Sequence, residues 1–200
     1  MKKTLLIFIF ISTFIFNAYC QLEKNSTQAG LSALPVFDVF KLVPDNKISG
    51  IALTGNYGFF AIKNMSIGIQ PYYAQVSNSY TSKILEKENQ EIKLYGLNTY
   101  LRYYFIRKEK FLTYALASIG FGNSDQKTTN LSSSAFVKNS HTDKSVLVSV
   151  LGIGANYFIM KNLAIELNVP YFNVKYISTD PNDMHFQSAV PTIGLQYYLQ

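Results

Sequence analysis

The stretch YGLNTYLRYYF, residues 95–105, decides the fold because its side chains alternate between two kinds of face. One face carries Tyr95, Leu97, Thr99, Leu101, Tyr103 and Phe105, and the other carries Gly96, Asn98, Tyr100, Arg102 and Tyr104. A repeat of two residues is that of a β-strand, in which successive side chains point to opposite faces of the sheet. This segment is therefore predicted to be a strand whose two faces meet different surroundings.

The same alternation recurs along the chain, at residues 51–59, 163–171 and 193–199. No segment of comparable length keeps the 3.6-residue repeat of a helix, so the chain is predicted to be all-β. The breaks alternate between short turns, near 62–65, 107–110 and 160–162, and longer polar loops at 42–47, 81–91, 123–144 and 178–183. Three turns and four loops predict eight strands, at residues 27–40, 48–61, 66–79, 92–106, 111–122, 145–159, 163–177 and 184–199.

Eight antiparallel strands with short turns at one end and long loops at the other predict a closed, up-and-down transmembrane β-barrel. Closure removes the sheet edges and is the way in which a sheet crosses lipid with its backbone groups paired. Charged residues make up only 15% of the chain and aromatic residues also 15%, which fits an outer surface that faces lipid. A soluble lipocalin-like barrel would instead be polar outside and apolar inside. Seven rings near the turns or the chain end predict an aromatic girdle at the membrane interface: Tyr57, Phe59, Tyr103, Phe105, Phe111, Tyr157 and Tyr197.

Two segments carry a resemblance to a known family. GNYGFFAIKNMSIG, residues 55–68, joins an aromatic strand end through a short turn to a return strand that contains glycine, and IGLQYYL, residues 193–199, is similar to the assembly signal on the last strand of outer-membrane barrels. The chain thus resembles the small eight-stranded outer-membrane β-barrels of the OmpA/OmpX-like kind over residues 27–200. The resemblance implies a bacterial outer-membrane location, contact with outer-membrane lipid and lipopolysaccharide, and recognition of the last strand by the barrel-assembly machinery. We also expect a monomer.

The N-terminus has the pattern of an export signal. Met1, Lys2 and Lys3 form a basic start, residues 5–16 are an apolar run, and Ala18 and Cys20 lie where a signal peptidase needs small residues. Residues 1–20 are therefore predicted to be a cleaved signal peptide and residues 21–200 the barrel domain. Lipidation of Cys20, the only cysteine, is an alternative. After residue 20 no apolar run reaches the roughly 20 residues of a membrane-spanning helix.

The sequence predicts no catalytic, cofactor-binding or metal-binding residues. His141 and His185 are the only histidines, and both fall in or beside predicted loops without further ligands at short spacing. His185 and Ser188 are three residues apart, so a regular strand would send them to opposite faces, which argues against a hydrolytic pair. The chain carries a net charge of +6, but its basic residues are spread over the turns rather than gathered in one groove, so nucleic-acid binding is rejected.

Arg102 and Glu166 are the charged residues that lie deepest on the polar faces of their strands. Each is about five residues from a short turn, which places both at a similar depth inside the predicted barrel. The interior of an eight-stranded barrel is just wide enough for side chains to fill. We therefore predict a structural ion pair between Arg102 and Glu166 in the lumen, with two separately hydrated charges as the alternative.

These features predict a non-enzymatic outer-membrane protein with a structural or surface-interaction role. The segment 123–144, rich in Ser, Thr and Asn, is the predicted surface for an extracellular partner. Two other functions remain open: a narrow channel for ions or very small solutes, and a lipid-modifying enzyme.

Overall fold

The computed structural model describes residues 24–36, 46–81, 87–131, 137–177 and 186–199. Within these segments the chain forms nine antiparallel strands. They are β1 (Thr27–Val36), β2 (Asn46–Ile62), β3 (Met65–Thr81), β4 (Lys87–Lys108), β5 (Phe111–Leu131), β6 (Val137–Phe158), β7 (Leu163–Tyr176), β8 (Phe186–Ala189) and β9 (Thr192–Leu199). None of the described segments contains a helix long and apolar enough to cross a bilayer.

The strands close into a ring of eight positions, as predicted. Each of β1 to β7 pairs with its neighbour in sequence, and β9 pairs with both β1 and β7. β8 continues the pairing with β7 beyond β9. The last predicted strand, 184–199, is thus split in two within the described residues, because Pro191 has no backbone N–H for the ladder. Between the two parts, the N–H of Val190 donates to the backbone oxygen of Pro170 at 3.2 Å.

The outer face of the barrel is apolar along the middle of the strands. The side chains of Leu97, Leu101, Leu167 and Leu195 are all exposed there, at 39 to 55%. All seven rings of the predicted girdle are exposed as well. A broad apolar band flanked by aromatic rings is the surface that such a barrel presents to lipid, so the predicted orientation of these strands is confirmed.

The predicted loops at 81–91 and 123–144 are too long, because strands occupy the described ends of both ranges. β3 continues to Thr81 and β4 begins at Lys87, while β5 continues to Leu131 and β6 begins at Val137. The pairing of β5 with β6 stays in register out to Leu131 and Val137. In this part of the hairpin polar residues occupy both faces, so the alternation of apolar and polar residues ends although the backbone ladder continues. The predicted loops 42–47 and 178–183 and the predicted end of the first strand, 37–40, lie wholly or mainly outside the described residues, as do residues 1–20.

The interior divides into two halves of different chemistry. The turn-side half lies near the short turns and contains buried polar and aromatic residues, with Arg102 and Glu166 among them. The loop-side half lies beyond it toward the loops and contains a buried apolar group on β6 and β7: Val146, Val148, Val150 and Val174. Because interior side chains fill both halves, the candidate site is a packed lumen.

Candidate functional site

The centre of the turn-side half is an ion pair between β4 and β7. Nη1 of Arg102 lies 3.0 Å from Oε1 of Glu166, and the two side chains are only 2% and 1% exposed. Both residues occupy inward positions of their alternating strands, so the barrel wall brings them face to face across the lumen. The structure thus places together the two residues that the sequence singled out.

Both carboxylate oxygens of Glu166 are engaged. Tyr114 on β5 donates its hydroxyl hydrogen to Oε1, and Ser32 on β1 donates to Oε2 at 3.0 Å. Gly194 on β9 is the register partner of both Ser32 and Glu166, so the Ser32 bond passes over it. A Cβ at Gly194 would lie 2.4 Å from the Ser32 hydroxyl oxygen and 2.5 Å from the Leu31 backbone oxygen, which explains why this inward position has no side chain.

The Arg102 guanidinium is held by polar and aromatic groups. Its Nη1 also donates to Oε1 of Gln196 at 3.4 Å. Its central carbon lies 4.7 Å from the centroid of the Tyr114 ring and 5.3 Å from that of Tyr100. Arginine over an aromatic face within about 6 Å is a favourable cation–π geometry. The cation is therefore compensated on several sides.

The next layer repeats the use of glycine as a gap between two long polar side chains. Gln196 donates to Oδ1 of Asn56 at 2.9 Å, and Gly30 on β1 pairs with both residues. A Cβ at Gly30 would lie 2.1 Å from the side-chain oxygen of Gln196. The bond between Gln196 and Asn56 thus needs a residue without a side chain at this position.

A second cluster of hydrogen bonds lies beside the ion pair. Gln28 donates to the hydroxyl oxygens of Ser66 and Tyr100, both at 2.8 Å, and accepts from the Tyr104 hydroxyl at 2.7 Å. All four side chains are buried. Toward the turns, five rings pack at the base of the lumen, with four of the contacts at centroid distances of 5.2 to 6.4 Å: Phe60, Tyr104, Tyr114, Phe158 and Tyr198.

This arrangement holds buried charge in place inside the lumen. Three of the roughly four lone-pair directions of the Glu166 carboxylate are occupied by Arg102, Tyr114 and Ser32, which leaves little of it for the proton abstraction of a general base. The polar atoms of neighbouring side chains are mostly paired with one another as well. The site is therefore suited to bracing the barrel.

The sequence analysis missed the residues that complete the network, among them Gln28, Ser32, Asn56, Tyr114 and Gln196. All of them lie on inward faces. Asn56 and Gln196 belong to the alternating segments 51–59 and 193–199, and extending the two-residue alternation to β1 and β5 would have identified Gln28, Ser32 and Tyr114 as well. Their mutual contacts depend on the stagger between strands, which the sequence does not give.

The histidines were assigned to loops, and for His141 this is wrong. It lies in β6, paired with Lys127 of β5, and its ring nitrogens lie 3.0 Å from Asp125 and 3.2 Å from Asp143. His185 lies outside the described residues, and Ser188 lies in β8. The signal for His141 was its spacing of two residues from Asp143, which puts both on one face of a strand.

Solved structures that are similar to this chain include outer-membrane proteins. The attachment invasion locus protein Ail of Yersinia pestis is 16% identical, with 88% of this chain and 99% of that chain covered and a TM-score of 0.50. The outer membrane protein OprG of Pseudomonas aeruginosa is also 16% identical, with 90% and 99% covered and a TM-score of 0.49. The outer membrane protease OmpT of Escherichia coli is 9% identical, with 88% and 94% covered and a TM-score of 0.41. No curated protein matches the chain.

A family model gives the decisive comparison. The model described as the outer membrane protein beta-barrel domain matches residues 6–197, which include all strands of the ring except the last two residues of β9. The closed ring, the lipid-facing apolar band and the packed polar lumen agree with that match. The chain therefore belongs to the outer-membrane β-barrel domain family and is a transmembrane protein of the bacterial outer membrane.

Proposed function

We propose that this protein is a non-enzymatic, monomeric outer-membrane barrel with a sealed lumen and a structural or surface-interaction role. The observation that carries the proposal is the buried pair of Arg102 and Glu166, 3.0 Å apart, which lies across the lumen with its partners packed around it. A charge pair with this many contacts is costly to separate. The lumen thus serves to hold the barrel wall together.

The amount of space inside the barrel supports a sealed lumen. An eight-stranded barrel leaves room for side chains and little else. Here five aromatic residues lie toward the turns and the valines of the loop-side half toward the loops. Ions would have to pass both layers and the ion pair between them.

A narrow channel is the second candidate, and one observation favours it. Among the described residues, five buried polar atoms of the lumen have no hydrogen-bond partner: Tyr72 Oη, Arg102 Nε, Asn98 Oδ1, Asn156 Oδ1 and Asn168 Oδ1. Buried polar atoms of this kind are commonly satisfied by internal water. A connected file of such water would allow a small conductance.

Conductance across planar lipid bilayers separates the two candidates. We expect no steady current from the wild-type protein. Glu166→Gln should give brief or steady openings because it removes the charge that holds Arg102 across the lumen. The matched control is Glu91→Gln, which removes an acid from the partly exposed pair of Glu91 with Lys93 and should leave the current at zero. If the wild-type protein gave a steady current, and a larger side chain in the lumen abolished it, the channel hypothesis would replace that of a sealed barrel.

The interaction role is proposed for the outer part of the β5–β6 hairpin, residues 123–144. Its described parts, residues 123–131 and 137–144, extend beyond the apolar band as paired strands, which gives a partner a firm surface. We further propose that β9 is recognised by the barrel-assembly machinery, and that residues 1–20 direct export and are removed. Analysis of outer-membrane lipids after overexpression tests the enzymatic alternative: an altered acyl or headgroup pattern would contradict the non-enzymatic role.

A further inference from the structure

Three side chains with metal-binding groups meet on the outer face of the β5–β6 hairpin, away from the lumen. Asp125 is the register partner of Asp143, and His141 precedes Asp143 by two residues on β6. All three share the outward parity of Phe121, which is 66% exposed four residues before Asp125. The group therefore lies on the outer surface, on the loop side of the lipid-facing band.

The imidazole of His141 lies between the two carboxylates. Its Nδ1 is 3.0 Å from Oδ1 of Asp125, and its Nε2 is 3.2 Å from Oδ2 of Asp143. One ligand atom from each residue can be chosen so that all three lie within 4.8 Å of one another. Because the lone pairs of the two ring nitrogens diverge, a single cation takes only one of them, and the other is left to bind a carboxylate.

Two independent features indicate that a cation belongs here. First, Asp125 and Asp143 are directly opposite each other on paired strands, and like charges in that position destabilise a sheet. Second, Oδ1 of Asp125 is withdrawn from solvent, and although Nδ1 of His141 lies 3.0 Å away, it has no well-aligned hydrogen bond within the described part of the chain. Lys127 faces His141 in the register, so it is placed one row away from the two carboxylates.

The geometry favours the side of Asp125 for the cation. At bond lengths of about 2.1 Å, two ligand atoms 3.0 Å apart subtend an angle of about 90° at the metal. That angle is the one between adjacent ligands in octahedral or square-planar coordination. The Nε2–H group would then donate to Asp143, the usual way in which a carboxylate orients a metal-binding histidine.

We propose that Asp125 and His141 bind a divalent first-row transition-metal cation at the outer surface, with Asp143 as the residue that positions the imidazole. A ligand set of one imidazole nitrogen and carboxylate oxygen at this angle suits Cu²⁺ or Ni²⁺ better than Ca²⁺ or Mg²⁺, which prefer oxygen alone. Side-chain exposures of 21% for Asp125 and 53% for His141 leave room for water to complete the coordination.

Copper binding tests the site directly, because Cu²⁺ binds most tightly in this series and its electron paramagnetic resonance spectrum reports coordinated nitrogen. The untagged, detergent-purified protein is titrated with Cu²⁺ alone. We expect one tightly bound ion per chain with the splitting pattern of a single nitrogen. The matched control is His185→Ala, which removes the other histidine of the sequence and should change neither the stoichiometry nor the spectrum.

The variants distinguish a ligand from a positioning residue. His141→Ala should remove the nitrogen signature and lower the affinity at least tenfold, and Asp125→Asn should lower it by a similar factor. Asp143→Asn should keep the nitrogen signature while lowering the affinity by about tenfold, the effect typical of an outer-shell carboxylate. His141→Gln serves in place of His141→Ala if the latter does not give the faster-migrating folded band on an unheated gel.

Three outcomes would overturn the proposal. Wild-type affinity in the His141 variants would mean that the copper binds elsewhere. Loss of the nitrogen signature in His185→Ala would assign the ion to that histidine. A spectrum without coordinated nitrogen in the wild-type protein would mean adventitious binding to carboxylates only.

Discussion

The two halves of the lumen are packed by different kinds of side chain. In the turn-side half, polar side chains such as Arg102 and Glu166 contact specific partners at hydrogen-bond distance. In the loop-side half, the apolar side chains of Val146, Val148, Val150 and Val174 fill space. Apolar packing tolerates substitutions that conserve volume, whereas a buried charge that loses its partner leaves a large desolvation cost. The stability of the barrel is therefore expected to depend on particular residues in the turn-side half and on side-chain volume in the loop-side half.

Breaking the ion pair should have the largest effect. Glu166→Gln or Arg102→Met leaves one buried charge unpaired and should lower the free energy of unfolding by about 3–5 kcal/mol. The double variant should recover part of that loss, because the remaining charge is then gone. Urea unfolding of the detergent-refolded single and double variants measures the coupling between the two residues.

The matched control for these variants is Glu91→Gln, which removes the acid from the pair of Glu91 with Lys93. Its two side chains are 35% and 32% exposed, so the loss should be no more than about 1 kcal/mol. A coupling energy of zero between Arg102 and Glu166 would remove the distinction between the halves of the lumen.

A charge on the outer face should cost somewhat less. Leu101 lies in the lipid-facing band next to Arg102 in sequence, and Leu101→Arg should destabilise the protein by about 2–4 kcal/mol in lipid vesicles. Asn123→Arg, on the outer face beyond Phe121, should cost no more than about 1 kcal/mol because it lies nearer the interface. Equal losses for the two variants would contradict the assigned position of the band.

Trimming the loop-side half should have the smallest effect. Val148 is buried, and Val148→Ala removes two carbon atoms, which should cost about 1.5 kcal/mol at about 0.8 kcal/mol for each buried carbon. The conservative change Val148→Ile should lower the free energy of unfolding by less than Glu166→Gln does. Denaturant unfolding of Val148→Ala, Val148→Ile and Glu166→Gln measures these losses. A loss of stability for Val148→Ala as large as that for Glu166→Gln would show that both halves depend equally on particular residues.

Some of these features follow from the sequence by itself. Alternation over residues 95–105 determined the strand, its two faces and the burial of Arg102, because a side chain of a strand can point in only two directions. The lipid-facing leucines follow from the same rule. So does the closed ring, since a transmembrane sheet has no other way to pair its edges.

The ends of the strands could not be read in this way. The outer parts of β5 and β6 are polar on both faces, so the signal that marks a strand in lipid is absent there. Backbone hydrogen bonds nevertheless extend the ladder to Leu131 and Val137, because pairing needs no apolar side chains. The split of the last strand at Pro191 depends in addition on which neighbour its two parts meet.

The contacts between side chains across the barrel depend on the tertiary structure. The stagger between strands brings Ser32 over Gly194 to Glu166 and Gln196 over Gly30 to Asn56. It also sets Asp125 opposite Asp143. The sequence determined the face of each side chain because that depends on its own strand. Its partners were decided by the register between strands, which is a property of the closed sheet as a whole.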